Sequence, residues 1–298
     1  MAVSSKSLRW TTSTGVCIYR SGMDTTAVAT PSRLTWMGQA LVPLEPDMTS
    51  VWTGMSSSTA SSFKRPLIES IAKNGVPEDT EIIYQGRNTV YRMLTDNRPI
   101  IIKSFKLPGC INSYVYTTLR KSKAERSYLN SKKLQQLGFR TPAIIAYAEV
   151  RRGHKLLNSY YISEEIAGGN MRDWENNTDA DQLLHGLAQE MFKLYRAQVW
   201  HKDFSPGNVI YTGSAESGYR YYYIDVNRMK FNVSSRKKLM SMFRSMHDSF
   251  EETARLARYY AQVSGEPEDR IVAEALEVHK HYIDSRILRR KLKHMIKL

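Results

Sequence analysis

Asp203 and Asn208 stand five residues apart in the stretch WHKDFSPGNVIY, Trp200 to Tyr211. A carboxylate that takes the proton of an attacking hydroxyl, followed by an amide oxygen that ligates a divalent cation, is a pair phosphoryl transfer needs. Pro206 and Gly207 bend the backbone between them, so both side chains can face one cavity. The plainer alternative is a capping aspartate and a turn asparagine. His201 reads as a packing and hydrogen-bonding residue of the loop, not an acid or base. Asp225 ends the aromatic-rich run YYYIDVN. A buried carboxylate is costly unless it is paired or binds a metal. Its spacing from Asn208 suits a hairpin of two short strands between two metal ligands.

Two further residues belong to the same chemistry. Lys103 leaves the apolar run IIIK, where its stem can pack while its ammonium reaches nucleotide phosphates. An edge lysine that merely snorkels is the alternative. Glu125, in KAERSY, is the carboxylate that would fix this lysine by pairing with it. Alone it reads as a solvated i,i+4 partner. The phosphate-covering loop is the sparse part, offering only Gly86 in YQGRNTVY.

These residues need rigid elements beneath them. Glu81 to Leu94 alternates around a turn and reads as two strands, and Arg98 to Lys106 as a third. Ser122 to Gly138 is helical, with Gly138 as its stop. Ala143 to Arg152 and Asn158 to Ile166 are two more strands, before AGGN at Ala167 to Asn170. Helices dominate beyond: Asp181 to Gln198 carries Leu184, Leu187, Met191, Leu194 and Tyr195 on one stripe. The expected fold class is α+β, with a five-stranded antiparallel N-lobe holding one helix and a short helical C-lobe.

Residues 1–62 differ in kind. They are rich in Ser and Thr and keep no period, so they read as a low-complexity leader. It is expected to be disordered, or to reflect a misplaced start with Met55 as the true one. The folded part is then 63–298, with lobes at about 63–166 and 167–298. The chain carries 43 Lys and Arg against 29 Asp and Glu, for a net charge of +14. That surplus favours an anionic partner. Nucleic acid is not expected, because the aromatics sit in strands and not among basic residues of a recognised module. Cys17 and Cys110 are the only cysteines, which argues against a disulfide framework and for a reducing, cytoplasmic compartment. No apolar run is long enough to span a bilayer.

The segments KAERSYLNSKKLQQLGFRTPAIIAYAE, HKDFSPGNVIY and YYYIDVNRMKF together resemble the bacterial lipopolysaccharide core kinase family, over roughly Glu81 to Lys230. The resemblance implies a two-lobed protein-kinase-like fold and ATP-dependent phosphorylation of a Kdo or heptose hydroxyl. It assigns Asp203 as base, Asn208 and Asp225 as Mg²⁺ ligands, Lys103 as the ATP-phosphate lysine and Glu125 as its partner. The implied partner is a lipid-linked core glycan at the cytoplasmic face of the inner membrane; no obligate protein partner is implied. The alternatives are an atypical protein kinase or other small-molecule phosphotransferase, and an inactive binding scaffold. Only 73 residues follow Asp225, which favours a small or glycan acceptor over a protein. Two basic segments suit an anionic acceptor or membrane. One is Arg236, Lys237, Lys238 and Arg244. The other is the helix His279 to Leu298, where Arg286, Arg289, Arg290, Lys293 and Lys297 oppose Ile283, Ile287, Met295 and Ile296. The alternatives are a solvated helix face for the first, and for the second an apolar face packed on the helical lobe.

Overall fold

The computed structural model describes residues 17–19, 27–29, 34–36, 39–44, 49–55, 64–106, 121–152 and 155–295. The SSSTASS run, Cys110, Ile296 and Lys297 lie outside them. The chain divides into two compact units, Met1–Tyr128 with Ile144–Glu164, and Leu129–Ala143 with Glu165–Leu298.

The first unit is built on an antiparallel sheet. Five of its strands are those expected: β6 (Glu81–Gln85), β7 (Asn88–Thr95), β8 (Arg98–Phe105), β9 (Ile144–Arg152) and β10 (Lys155–Glu164), adjacent in the order β9-β10-β8-β7-β6. Alternation explains their faces. Ile100 and Ile102 of β8 point into the core with Ile145 and Ile162, which puts Lys103 on the opposite face. The sheet is wider than expected. Before residue 63 lie β1 (Cys17–Tyr19), β2 (Ala27–Ala29), β3 (Leu34–Trp36), β4 (Gln39–Leu44) and β5 (Thr49–Met55). The last of these runs antiparallel along β9, so the sheet has eight strands. The single helix expected here is joined by another. Helix α1 (Lys64–Asn74) buries Ile68, Ile71 and Ala72 against β8, β9 and β10, covering one face of the sheet.

Helix α2 (Lys123–Gln136) starts at Ser122, whose hydroxyl accepts the Glu125 amide at 3.0 Å. It ends at Gly138, whose φ of +81° is the left-handed conformation that stops helices. The second unit contains α3 (Ala180–Arg196), with Leu184, Leu187, Met191 and Leu194 fully buried and Tyr195 half-buried. After the short α4 (Arg236–Met240), α5 (Phe250–Ser264) packs against α3, and α6 (Glu268–Met295) packs on α5. A small sheet orders β11 (Gly169–Asn170), β12 (Val209–Thr212) and β13 (Arg220–Tyr223). Its aromatic strand is anchored by Tyr221, whose hydroxyl donates to the Leu183 carbonyl at 2.5 Å. No helix among the described residues is long and apolar enough to cross a membrane.

Candidate active site

The WHKDFSPGN loop leaves α3 and enters β12, and it is tied down along its length. Trp200 exchanges backbone hydrogen bonds with Lys230 in both directions, at 2.8 and 2.9 Å. Arg244 donates to the Lys202 carbonyl, and the Ser245 hydroxyl donates to the Phe204 carbonyl at 2.7 Å. Phe204 is buried, and so is His201. Burial pushes the His201 imidazole below its ordinary pKa, so the neutral ring donates from Nε2 to the Ile224 carbonyl at 3.1 Å. That is the packing and hydrogen-bonding role expected of it.

The amide of Asn208 donates from Nδ2 to the Asp203 carbonyl at 2.8 Å, which closes the loop. This bond fixes the orientation of the amide and leaves Oδ1 for another partner. The backbone carbonyl of Asn208 accepts the Ile224 amide at 3.0 Å, fastening the loop to the end of β13. Asn208 and Asp225 thus flank the β12–β13 hairpin, whose strands pair from Val209↔Tyr223 to Thr212↔Arg220. Asp225 is in the left-handed region, with φ 54° and ψ 41°. One of its carboxylate oxygens accepts from the Asn227 amide at 2.6 Å. A carboxylate and an amide oxygen are hard donors of the kind Mg²⁺ prefers, and Mg²⁺ keeps several waters besides its protein ligands.

Asp203 is partly exposed. Its Oδ1 is paired with Arg228 Nη1 at 2.9 Å. Among the described residues Oδ2 carries no hydrogen bond, and the side chain lines an open cavity of about 690 Å³ together with Ser205, Gly207, Asn208, Arg172 and Arg244. Arg228 was not singled out in the sequence, although it lies three residues after Asp225 in the IDVNR run. Arg172 carried no signal there. The basic run after the loop splits into different tasks. Arg236 is bound between Glu274 and Glu266, with 2.9 Å to each, and is a packing residue. Lys237 and Lys238 are exposed, while Arg244 reaches the Asp203 cavity.

The residues expected on the nucleotide side, Lys103, Glu125 and Gly86, lie in the first unit. Lys103 is half-buried, with Nζ 5.4 Å from the Phe105 ring centroid. Glu125 is the third residue of the capped α2, and its carboxylate is 2.6 Å from Lys121 Nζ. Gly86 sits in the exposed two-residue turn between β6 and β7, where its amide donates to the Asn88 carbonyl at 3.1 Å. A side chain there would meet the Tyr84 hydroxyl.

A strand-rich unit, a helical unit, and a carboxylate-and-amide loop joined through a hairpin to a second carboxylate fit a phosphotransferase of the protein-kinase-like class. The model of the lipopolysaccharide kinase (Kdo/WaaP) family matches residues 110–280, more than half of the sequence. The chain belongs to this family and is a phosphotransferase with an alcohol group as acceptor. No curated protein sequence matches it significantly. Among solved structures, WaaP in complex with acyl carrier protein is similar at 17% identity and a TM-score of 0.51, over 78% of this chain and 97% of that one. WbdD with the kinase inhibitor LY294002 gives 19% identity and a TM-score of 0.40, over 67% and 44% of the two chains. The WaaP likeness supports the fold.

Proposed function

We propose that the chain transfers the γ-phosphoryl group of ATP to a Kdo or heptose hydroxyl in the inner core of lipopolysaccharide. The observation that carries this reading is the loop itself. Asn208 is held by the Asp203 carbonyl with its amide oxygen left over, while the Asp203 carboxylate opens on a cavity wide enough for a sugar. Asp203 accepts the proton of the attacking hydroxyl through Oδ2, while Arg228 holds Oδ1 and orients the group. Asn208 and Asp225 would hold Mg²⁺, which when bound neutralises charge on the phosphates. Lys103 would pair with ATP phosphates. Glu125, now with Lys121, would pair with it, and the turn at Gly86 would cover the nucleotide.

Labelled ATP and truncated core glycolipid test the reading. Label is expected on the glycolipid and not on casein. Label on casein alone would favour a protein kinase, and label on neither an inactive scaffold.

The acceptor is lipid-linked on this reading, and the end of α6 suits a membrane surface. Ile287, Leu288, Leu292 and Met295 are exposed, so this apolar side is not packed on the helical lobe. At 100° per residue Leu288, Leu292 and Met295 share one side, and Arg286, Arg289 and Arg290 fall on the other. Exposed apolar and basic faces on one helix fit the interface of an anionic bilayer. Each basic residue near such a surface contributes about 1 kcal/mol. In liposome flotation the chain is therefore expected to rise with anionic vesicles at low salt and to stay down with neutral ones. Arg289→Gln with Arg290→Gln and Lys293→Gln should lower the bound fraction several-fold. Equal flotation on both lipids would sink the idea. Binding to acyl carrier protein instead, the partner of WaaP in its solved complex, would make this face a protein-docking surface.

A further inference from the structure

The cavity of Asp203 holds more positive charge than the transfer chemistry uses. Arg172, Arg244, His247 and Arg286 line it besides the loop. Two of these groups have local partners: Arg286 Nη1 is 2.5 Å from Asp248 Oδ1, and the His247 ring, whose Nδ1 accepts the Ser249 amide, donates from Nε2 to Glu175 Oε1 at 2.5 Å. Among the described residues Arg172 and Arg244 have no carboxylate partner. Arg244 spends one nitrogen on the Lys202 carbonyl, which aims the guanidinium along the catalytic loop.

Arg172 is placed with equal definition. Its backbone amide donates to Asn170 Oδ1 at 2.9 Å, and Asn170 Nδ2 donates to the Gly207 carbonyl at 3.4 Å. The turn carrying Arg172 is thereby tied to the turn between Asp203 and Asn208. The guanidinium then lies directly on Gly207: a Cβ there would come within 2.4 Å of Nε and 2.5 Å of Nη2. The missing side chain at 207 is the seat of the guanidinium. Gly207 is not needed for its backbone angles, since its φ lies outside the left-handed region.

We propose that Arg172, seated on Gly207, and Arg244 form an anion subsite beside Asp203 that binds a carboxylate or phosphate group of the acceptor. The subsite rests on the kinase reading above and specifies its substrate: an acceptor whose reactive hydroxyl is accompanied by an anion. Guanidinium groups suit this task because their planar donors match two oxygens of a carboxylate or phosphate at once. Holding that group turns one hydroxyl toward Oδ2 of Asp203 and away from its neighbours.

The test uses the full chain, ATP and three forms of truncated core glycolipid: native, carboxyl-amidated and phosphatase-treated. Wild-type KM is expected to rise at least tenfold on whichever modified form lacks the recognised anion, and this names the source. Arg172→Gln should raise KM on native acceptor by a similar factor and add little on that modified form. Gly207→Ala, which displaces the guanidinium without removing it, should shift KM in the same direction by less. If Arg172→Gln discriminates among the three acceptors as wild type does, the subsite is wrong. Absence of transfer to every glycolipid by wild type would instead fail the kinase reading. The subsite is then read by equilibrium dialysis against labelled inorganic phosphate. Several-fold weaker binding by Arg172→Gln supports it, and equal binding overturns it.

Discussion

Replacing Asp203 by Asn is expected to lower kcat by about 10²–10⁴-fold, the usual contribution of a positioned general base. The carboxamide keeps the shape of the side chain but cannot accept the proton from the attacking hydroxyl. The fold should be indifferent. The Asp203–Arg228 pair has 29% and 42% of its two side chains exposed, and pairs this wet are worth at most about 1 kcal/mol. The bond that closes the loop uses the backbone carbonyl of Asp203 and survives the change. Single-turnover transfer measured beside a thermal melt checks both halves. Turnover near wild type would remove Asp203 from the mechanism.

The second large effect is expected at Asp225. Loss of this carboxylate should weaken Mg²⁺-dependent ATP binding by more than the roughly 10–100-fold typical of a residue that only supports a metal ligand. Asp225→Ala has this effect but mixes two causes. The residue sits at φ 54°, and aspartate and asparagine tolerate that region better than alanine does. Asp225→Asn keeps the backbone preference and removes the charge, so it isolates the ligand. Titration of ATP with and without Mg²⁺ checks the assignment. A variant whose ATP affinity still depends on Mg²⁺ as in wild type would refute it.

The sequence carried the parts that depend on local period. Strands Glu81–Gln85 to Lys155–Glu164 and helices Lys123–Gln136 and Ala180–Arg196 follow from alternation, stripes and stops within their own residues. The loop and the hairpin between Asn208 and Asp225 were legible because spacing along the chain dictates them. What escaped depends on distant partners. Thr49–Met55 becomes a strand by pairing with β9, a segment about a hundred residues away. Arg228 and Arg172 are two among 43 basic residues, and only the folded chain shows which of them meet Asp203 or rest on Gly207. The tail was legible as a two-faced helix. Whether its apolar side is covered is decided by tertiary packing, and Ile287, Leu288 and Leu292 stay exposed.

If the proposed membrane contact holds, helix α6 would also work as a ruler. Tyr282 and Arg286 stand in the wall of the Asp203 cavity, and the same uninterrupted helix runs on to Met295. Nine residues of rise amount to about 13 Å. With the far end resting on a bilayer, that distance caps the height at which the cavity can stand above the lipid headgroups. On the proposed reading, sugars close to the lipid anchor would come within reach of Asp203, while those added later in a growing glycan would stand beyond it. Discrimination between inner and outer sugars would then need no contact that reads sugar identity, because the length of one helix would sort them by altitude.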